Sequence, residues 1–166
     1  VADVSRRLAR AILAAGRGRT VATAESCTGG MVAAALTDIP GSSAVFAGGF
    51  ITYSNDLKRD LLSVPERILE QYGAVSEPVA QAMAEGARAR TGAFAAVAVS
   101  GIAGPGGSEF KPEGRVCFAL ATAAGTLAET IDYGPLGRDR VRRAARDRAL
   151  ELLLAALRPA PGAAAR

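Results

Sequence analysis

The chain contains no histidine. That absence excludes Ser-His-Asp triads, Cys-His pairs and His-ligated metal sites, so a nucleophile here needs a lysine, a tyrosine or a carboxylate as its base. Lysine is also scarce, since all but two of the 20 basic residues are arginine, leaving Lys58 and Lys111. Arginine keeps its proton in a protein, whereas a desolvated lysine can give it up. Either lysine is therefore a candidate base, and either can equally be a leftover surface residue. Two cysteines, Cys27 and Cys117, make no disulfide framework and suit a reducing compartment. No apolar run approaches the ~20 residues of a membrane span, and no signal peptide opens the sequence. A cytoplasmic protein without membrane attachment is expected. No cluster of metal ligands exists, so neither a metal nor a cofactor is expected.

What is present describes an ordinary globule. At 166 residues, 49% hydrophobic and 22% charged, the chain reads as one domain over residues 1–158 with a disordered tail at 159–166. A chain of this size buries ~70% of its unfolded surface. A net charge of +4 and a pI of 9.6 invite a nucleic-acid reading. Six arginines fall between Arg138 and Arg148 on one predicted helix, with few aromatics nearby to stack bases. An anionic small substrate suits the positive balance equally well, and nucleic acid is discounted as a partner.

Periodicity and punctuation predict a helix over 4–15, a strand over 20–25 and a helix over 29–37. They continue with a strand over 45–53, bulged at Gly48-Gly49, and short helices over 55–62 and 65–71. Ser76-Glu77-Pro78 starts a helix running to Arg90. Residues 94–100 form a central strand, and the long glycine-rich loop 101–114 leads into a hairpin of strands 115–123 and 127–133. The last helix, 138–157, has Val141, Ala145, Ala149, Leu152 and Ala156 on its apolar face. Alternating helices and strands followed by a hairpin indicate an α/β protein with a mixed sheet between helix layers. The hairpin exposes an edge strand, which makes self-association plausible.

Three segments follow predicted strands: Glu25-Ser26-Cys27-Thr28-Gly29-Gly30, Ile51-Thr52-Tyr53-Ser54-Asn55-Asp56-Leu57-Lys58 and Ser100-Gly101-Ile102-Ala103-Gly104-Pro105-Gly106-Gly107. If those strands are parallel, the segments share the rim where open α/β sheets bind ligands. Taken singly each has a plainer explanation. Ser26 serves as an N-cap, Tyr53 as a packing residue, Lys58 as a solvated helix residue, and the glycine loop as a flexible connection lacking the P-loop ending. Convergence on one rim favours chemistry.

Together these segments resemble the CinA C-terminal domain family, whose enzymatic members are nicotinamide-nucleotide amidases. The resemblance runs from about Ala11 to Leu157 and includes Gly73-Ala74-Val75-Ser76 and Lys111-Pro112-x-Gly114. It implies a three-layer α/β/α sandwich with a mixed, mainly parallel sheet, and conversion of nicotinamide mononucleotide to nicotinate mononucleotide and ammonia. It also implies Ser26 as nucleophile, Lys58 as its base, Tyr53 close to the pair, and a nucleotide site lined by the loop that holds Gly101, Ala103, Gly104, Gly106 and Gly107. The chain departs from the family at Gly106-Gly107-Ser108-Glu109-Phe110, where Gly-Gly-Gly-Thr-Pro is common, and at Leu136-Gly137-Arg138, where Gly-Asp-Arg is common. Some members carry a further N-terminal domain resembling molybdopterin-binding proteins, which has no counterpart in this sequence.

The corresponding mechanism has Ser26 attacking the carboxamide, with the backbone N–H groups of Cys27, Thr28, Gly29 and Gly30 holding the oxyanion. Lys58 must then be neutral, with its pKa brought from ~10.4 to about 7–8 by burial or a neighbouring positive charge. Arg138, Arg142 and the glycine-loop amides are the candidates for the 5′-phosphate. Cys27 is a rival nucleophile. The alternatives are a non-catalytic pyridine-nucleotide-binding module and a competence- or DNA-damage-associated partner protein.

Overall fold

The structure, a computed structural model, describes residues 3–108 and 110–158. The tail expected at 159–166 lies outside the described residues. The elements in order are α1 (Val4–Gly16), β1 (Val21–Glu25), α2 (Met31–Thr37), a 3-10 turn (Ser42–Ala44), β2 (Phe46–Ile51), α3 (Asn55–Leu62), α4 (Glu66–Tyr72) and α5 (Glu77–Thr91). After these come β3 (Ala95–Gly101), β4 (Arg115–Thr122), β5 (Gly125–Asp132) and α6 (Arg138–Leu157).

The five strands make one sheet in the order β2-β1-β3-β4-β5. β1 pairs in parallel with both β2 and β3, while β3–β4 and β4–β5 are antiparallel, so only β4 runs against the other four. β3 is the central strand, as its unbroken apolar run predicted. The three parallel strands end at one rim, at Glu25, Ile51 and Gly101.

The two sheet faces differ in side-chain size. One carries Val21, Val97, Val99, Val116, Phe118 and Leu120, and packs on α1, α2 and α6. The other is nearly all alanine (Ala22, Ala24, Ala96, Ala98, Ala119 and Ala121) and receives Ala80, Ala84 and Ala87 of α5. Side chains alternate across a strand, so the sequence Ala-Ala-Val-Ala-Val of β3 writes both faces at once. Small residues let α5 lie close to the sheet, and α3 lies close to α5 in turn. A Cβ at Gly86 of α5 would stand only 2.0 Å from the Leu62 carbonyl oxygen of α3.

Several boundaries move by local chemistry. Gly29 and Gly30 have φ of +57° and +104°, so α2 starts at Met31, not at residue 29. The bulge in β2 falls at Ala47, between partners Phe46 and Gly48, one residue ahead of the glycine pair. The buried stripe of α6 begins with Val141, Ala145 and Ala149 as expected, then steps to Leu150, Leu153 and Leu157; Leu152 and Ala156 are only partly buried. Four-residue steps gain 40° each on a helix of 3.6 residues per turn, so a straight stripe must shift rows.

Candidate active site

Ser26 sits one residue beyond β1, where the turn leaves the sheet between its two parallel neighbours. Its N–H donates to Val99 O of β3 at 2.9 Å, and the next strand over is tied in by Thr52 N–H to Glu25 O at 2.9 Å. Lys58 comes from α3, which starts at Ser54; the Ser54 hydroxyl accepts from Leu57 N at 3.2 Å. The inward face of α3 carries Lys58 and Leu62, each 1% exposed. The helix thus drives a lysine into the protein, and its Nζ reaches Ser26 Oγ at 3.0 Å.

Nζ also donates to Thr52 O at 2.7 Å and Tyr53 O at 3.2 Å. Those two carbonyls decide what a neutral amine does here. With one proton gone, the two remaining N–H bonds serve the carbonyls and the lone pair is left facing Ser26 Oγ. Burial brings the Lys58 pKa down from 10.5 to about 8, because a desolvated ammonium is disfavoured. The same burial pushes the Cys27 thiol up to about 11. That shift disfavours the thiolate a nucleophilic cysteine needs. Iodoacetamide at pH 8 is expected to leave Cys27 at least tenfold slower to alkylate than a free thiol of pKa ~8.5, by mass spectrometry of the peptide.

The turn after Ser26 is held from two sides. Glu25, 1% exposed, accepts from Thr28 Oγ1 at 2.7 Å and Val32 N at 2.9 Å on Oε1, and from Ala33 N at 3.1 Å on Oε2. It is therefore Glu25, not Ser26, that caps α2, and the first-turn amides of that helix are not free for a ligand. The Gly29 N–H is also taken, by Ser26 O at 3.1 Å, which removes it from the expected oxyanion donors. The N–H groups of Cys27, Thr28 and Gly30 have no acceptor among the described residues. From the other side, Arg142 donates from Nε to Cys27 O at 3.0 Å and from Nη2 to Thr28 O at 3.3 Å. Arg142 thus straps the turn and does not face the cavity, contrary to its expected place at a phosphate.

A cavity of about 200 Å³ opens over the pair, lined by Ser26, Cys27, Tyr53 and Lys58. Its other walls are Ala74, Val75, Ser100, Gly101, Ala103 and Arg138. Arg138, at the start of α6, donates to Gly104 O at 2.7 Å and to Tyr53 Oη at 3.1 Å, spanning the mouth. Gly101, Ala103 and Arg138 line this cavity, and Gly104 is tied to it through Arg138. Gly106 and Gly107 are exposed and lie off the cavity. Gly107 serves the loop's own fold, since a Cβ there would sit 2.5 Å from Lys111 O. A larger cavity of about 520 Å³ lies across the Ala74–Val75 segment, between Tyr72, Phe110 and Lys111.

Two of these roles lacked a usable sequence signal, the Glu25 cap and the Arg142 strap, because both partners are brought together only by folding. The arginine-rich helix also looks different in three dimensions. Five of its six arginines from 138 to 148 are engaged within the protein, by Gly104 and Tyr53, the Cys27–Thr28 carbonyls, Asp139, Asp147, and Glu129 with Glu151. Among the described residues no three His, Cys, Asp or Glu side chains come together in a metal-binding group, and no helix is long and apolar enough to cross a membrane.

Residues 3–157 match the model of the CinA C-terminal domain. The chain belongs to that family. A CinA-like protein of Mycolicibacterium gilvum is 55% identical over 141 residues, which are 84% of this chain and 33% of that protein. A CinA-like protein of Akkermansia muciniphila is 52% identical over 141 residues, 84% of this chain and 34% of its own length. The chain therefore spans about a third of the length of these CinA relatives. Among solved structures, the competence/damage inducible protein CihA of Agrobacterium tumefaciens superposes with a TM-score of 0.90 at 48% identity, covering 93% of this chain and 96% of that one. A CinA superfamily protein from Escherichia coli gives 0.82 at 34% identity, covering 91% and 87%. The CinA fold read from the motifs, an α/β/α sandwich on a mixed sheet, is the fold of this chain.

Proposed function

We infer that this CinA-family domain is an amidohydrolase that converts nicotinamide mononucleotide to nicotinate mononucleotide and ammonia through a Ser-Lys acyl-enzyme. The observation that carries this reading is the 3.0 Å contact between Ser26 Oγ and a buried Lys58 whose pKa lies near 8. Among the described residues Lys58 has no acid partner, which makes its burial costly, and its placement against a serine hydroxyl suits a base.

In the first step Ser26 Oγ attacks the carboxamide carbon while its proton passes to the Lys58 lone pair. The oxyanion falls to the turn amides of Cys27, Thr28 and Gly30, each such donor being worth about 10²–10³ in rate elsewhere. The C–N bond then breaks, the Lys58 ammonium protonates the departing nitrogen, and ammonia leaves. Water attacks the ester, Lys58 takes its proton, and Ser26 departs carrying that proton from Lys58. Arg138 presents its guanidinium at the mouth, where a nucleotide phosphate displaces Gly104 O and Tyr53 Oη in favour of a charge-assisted pair. A positively charged pyridinium ring beside Lys58 further favours the neutral amine.

The test is ammonia release from nicotinamide mononucleotide by the parent and by Ser26→Ala. The expected result is turnover in the parent and a loss of about 10⁴ or more in the variant, at an unchanged melting midpoint. Absence of turnover in the parent with retained nucleotide binding would overturn the reading and favour a non-catalytic pyridine-nucleotide-binding module.

A further inference from the structure

Two sequence motifs beside the cavity play no part in the chemistry above: Gly73-Ala74-Val75-Ser76 and Lys111-Pro112. The first joins α4 to α5, and its carbonyls are held in an unusual way. Tyr72 O accepts from Lys111 Nζ at 2.6 Å, Gly73 O from Ser76 Oγ at 2.8 Å, Ala74 O from Ser100 Oγ at 2.8 Å, and Val75 O again from Lys111 Nζ. Four successive carbonyls are thus bound by side chains, where a surface connection ordinarily leaves them to water.

Lys111 supplies two of those four bonds and comes from the distant glycine-rich loop. The loop presents it through a bridge in which Ser108 N donates to Lys111 O at 3.1 Å and Lys111 N to Ser108 O at 2.7 Å. Ammonium donors make stronger bonds than hydroxyls. Tyr72 O also lies at the C-terminal end of α4, where a cation is favoured. One nitrogen serves both carbonyls, which suits a compact ammonium better than the wider guanidinium and accounts for a lysine in this arginine-rich chain. Ala74 and Val75 form the partition between the 200 Å³ and 520 Å³ cavities. Among the described residues their N–H groups have no acceptor, so these are the polar atoms the partition offers a ligand.

We propose that Lys111 is a positioning residue for the amidase: it braces the Tyr72–Val75 segment as a fixed wall whose Ala74 and Val75 N–H groups receive a polar group of the bound nucleotide. The ligand and the kinetic readout rest on the amidase reading; the bracing of the segment does not. The experiment compares the parent, Lys111→Met and Ser100→Ala by steady-state kinetics on nicotinamide mononucleotide and by amide hydrogen exchange. Lys111→Met is expected to raise KM about tenfold, with kcat within about twofold and the pH midpoint of kcat unmoved. Exchange at Gly73, whose N–H is held by Leu69 O at 2.9 Å where the braced segment begins, is expected to quicken about tenfold while β3 keeps its protection. Ser100→Ala, which frees Ala74 O, moves KM the same way by a smaller factor.

Parent-like KM and exchange in Lys111→Met overturn the proposal. A matched fall in kcat with exchange quickened throughout the molecule also overturns it, because that is loss of stability alone. If Lys111→Met does not fold, Ser100→Ala decides, and a parent-like KM there rejects the wall. If the parent releases no ammonia the amidase reading fails, and the exchange at Gly73 still decides whether Lys111 braces the segment.

Discussion

Lys58→Met is expected to lose about 10⁴ in turnover and none of its stability at pH 7. The two effects have one cause. Burial at 1% exposure gives Lys58 a pKa of about 8 against 10.5 in the unfolded chain. Between those values the unfolded state binds more protons, so the parent gains stability as pH rises through that window. Below pH 8 the folded protein carries the whole penalty of the buried ammonium, about 3 kcal/mol from the 1.36 kcal/mol per pH unit of linkage. Methionine removes that penalty and gives up hydrogen bonds to Thr52 O and Tyr53 O worth about 1 kcal/mol each. Denaturant melts from pH 7 to pH 10.5 read the difference directly: the parent gains about 3 kcal/mol relative to Lys58→Met over the window, while both proteins share the loss that the buried Cys27 thiol brings above about pH 9. The parent's kcat/KM rises over the same region, with a midpoint near 8, as the amine becomes neutral. Undiminished turnover in Lys58→Met would sink the base assignment, and parallel stability curves would sink the account of its pKa.

Glu25→Ala carries the largest expected cost in stability. One buried carboxylate binds Thr28 Oγ1 and the amides of Val32 and Ala33, and each bond to a charged group contributes about 1.5 kcal/mol or more. Removing it strands two first-turn amides of α2 inside the protein, for an expected loss of about 4 kcal/mol in urea unfolding. Glu25→Gln keeps the oxygen for Thr28 and Val32 but points an amide NH₂ at the Ala33 N–H, so about half the loss is expected. Turnover falls with it, since the Ser26–Gly30 turn is anchored at this residue. A loss under about 1 kcal/mol in Glu25→Ala would show that water replaces the carboxylate and that the cap is not what fixes the turn.

Some features were legible because they are local. Ser76-Glu77-Pro78 before α5, Ser54 before α3 and the glycine at 92 are end signals that act within one turn of helix, and each element starts or stops at them. The alternation of β3 likewise needs only neighbours in sequence. Ser26 and Lys58 were legible as a pair through the resemblance of their motifs to the CinA family, and the contact itself joins residues 32 positions apart. Glu25 was read only as the end of a strand, and Arg142 as a phosphate ligand. Of Glu25's partners only Thr28 is near in sequence, the two helix amides lying 7 and 8 residues on, and the carbonyls that Arg142 binds are 115 and 114 residues away.

The sequence by itself excluded histidine chemistry, set the order of helices and strands, and placed three motif-bearing segments after strands. Those properties follow from composition, periodicity and turn chemistry, which act over a few residues. Tertiary structure alone decided which amides remain free beside Ser26, that the strapping arginine is Arg142 while Arg138 faces the mouth, and that both lysines donate to carbonyl oxygens, Lys58 to Ser26 Oγ as well. Hydrogen-bond partners across the sheet rim are assigned by competition in space. A donor's role is fixed only when every acceptor within its reach has been brought there by the fold.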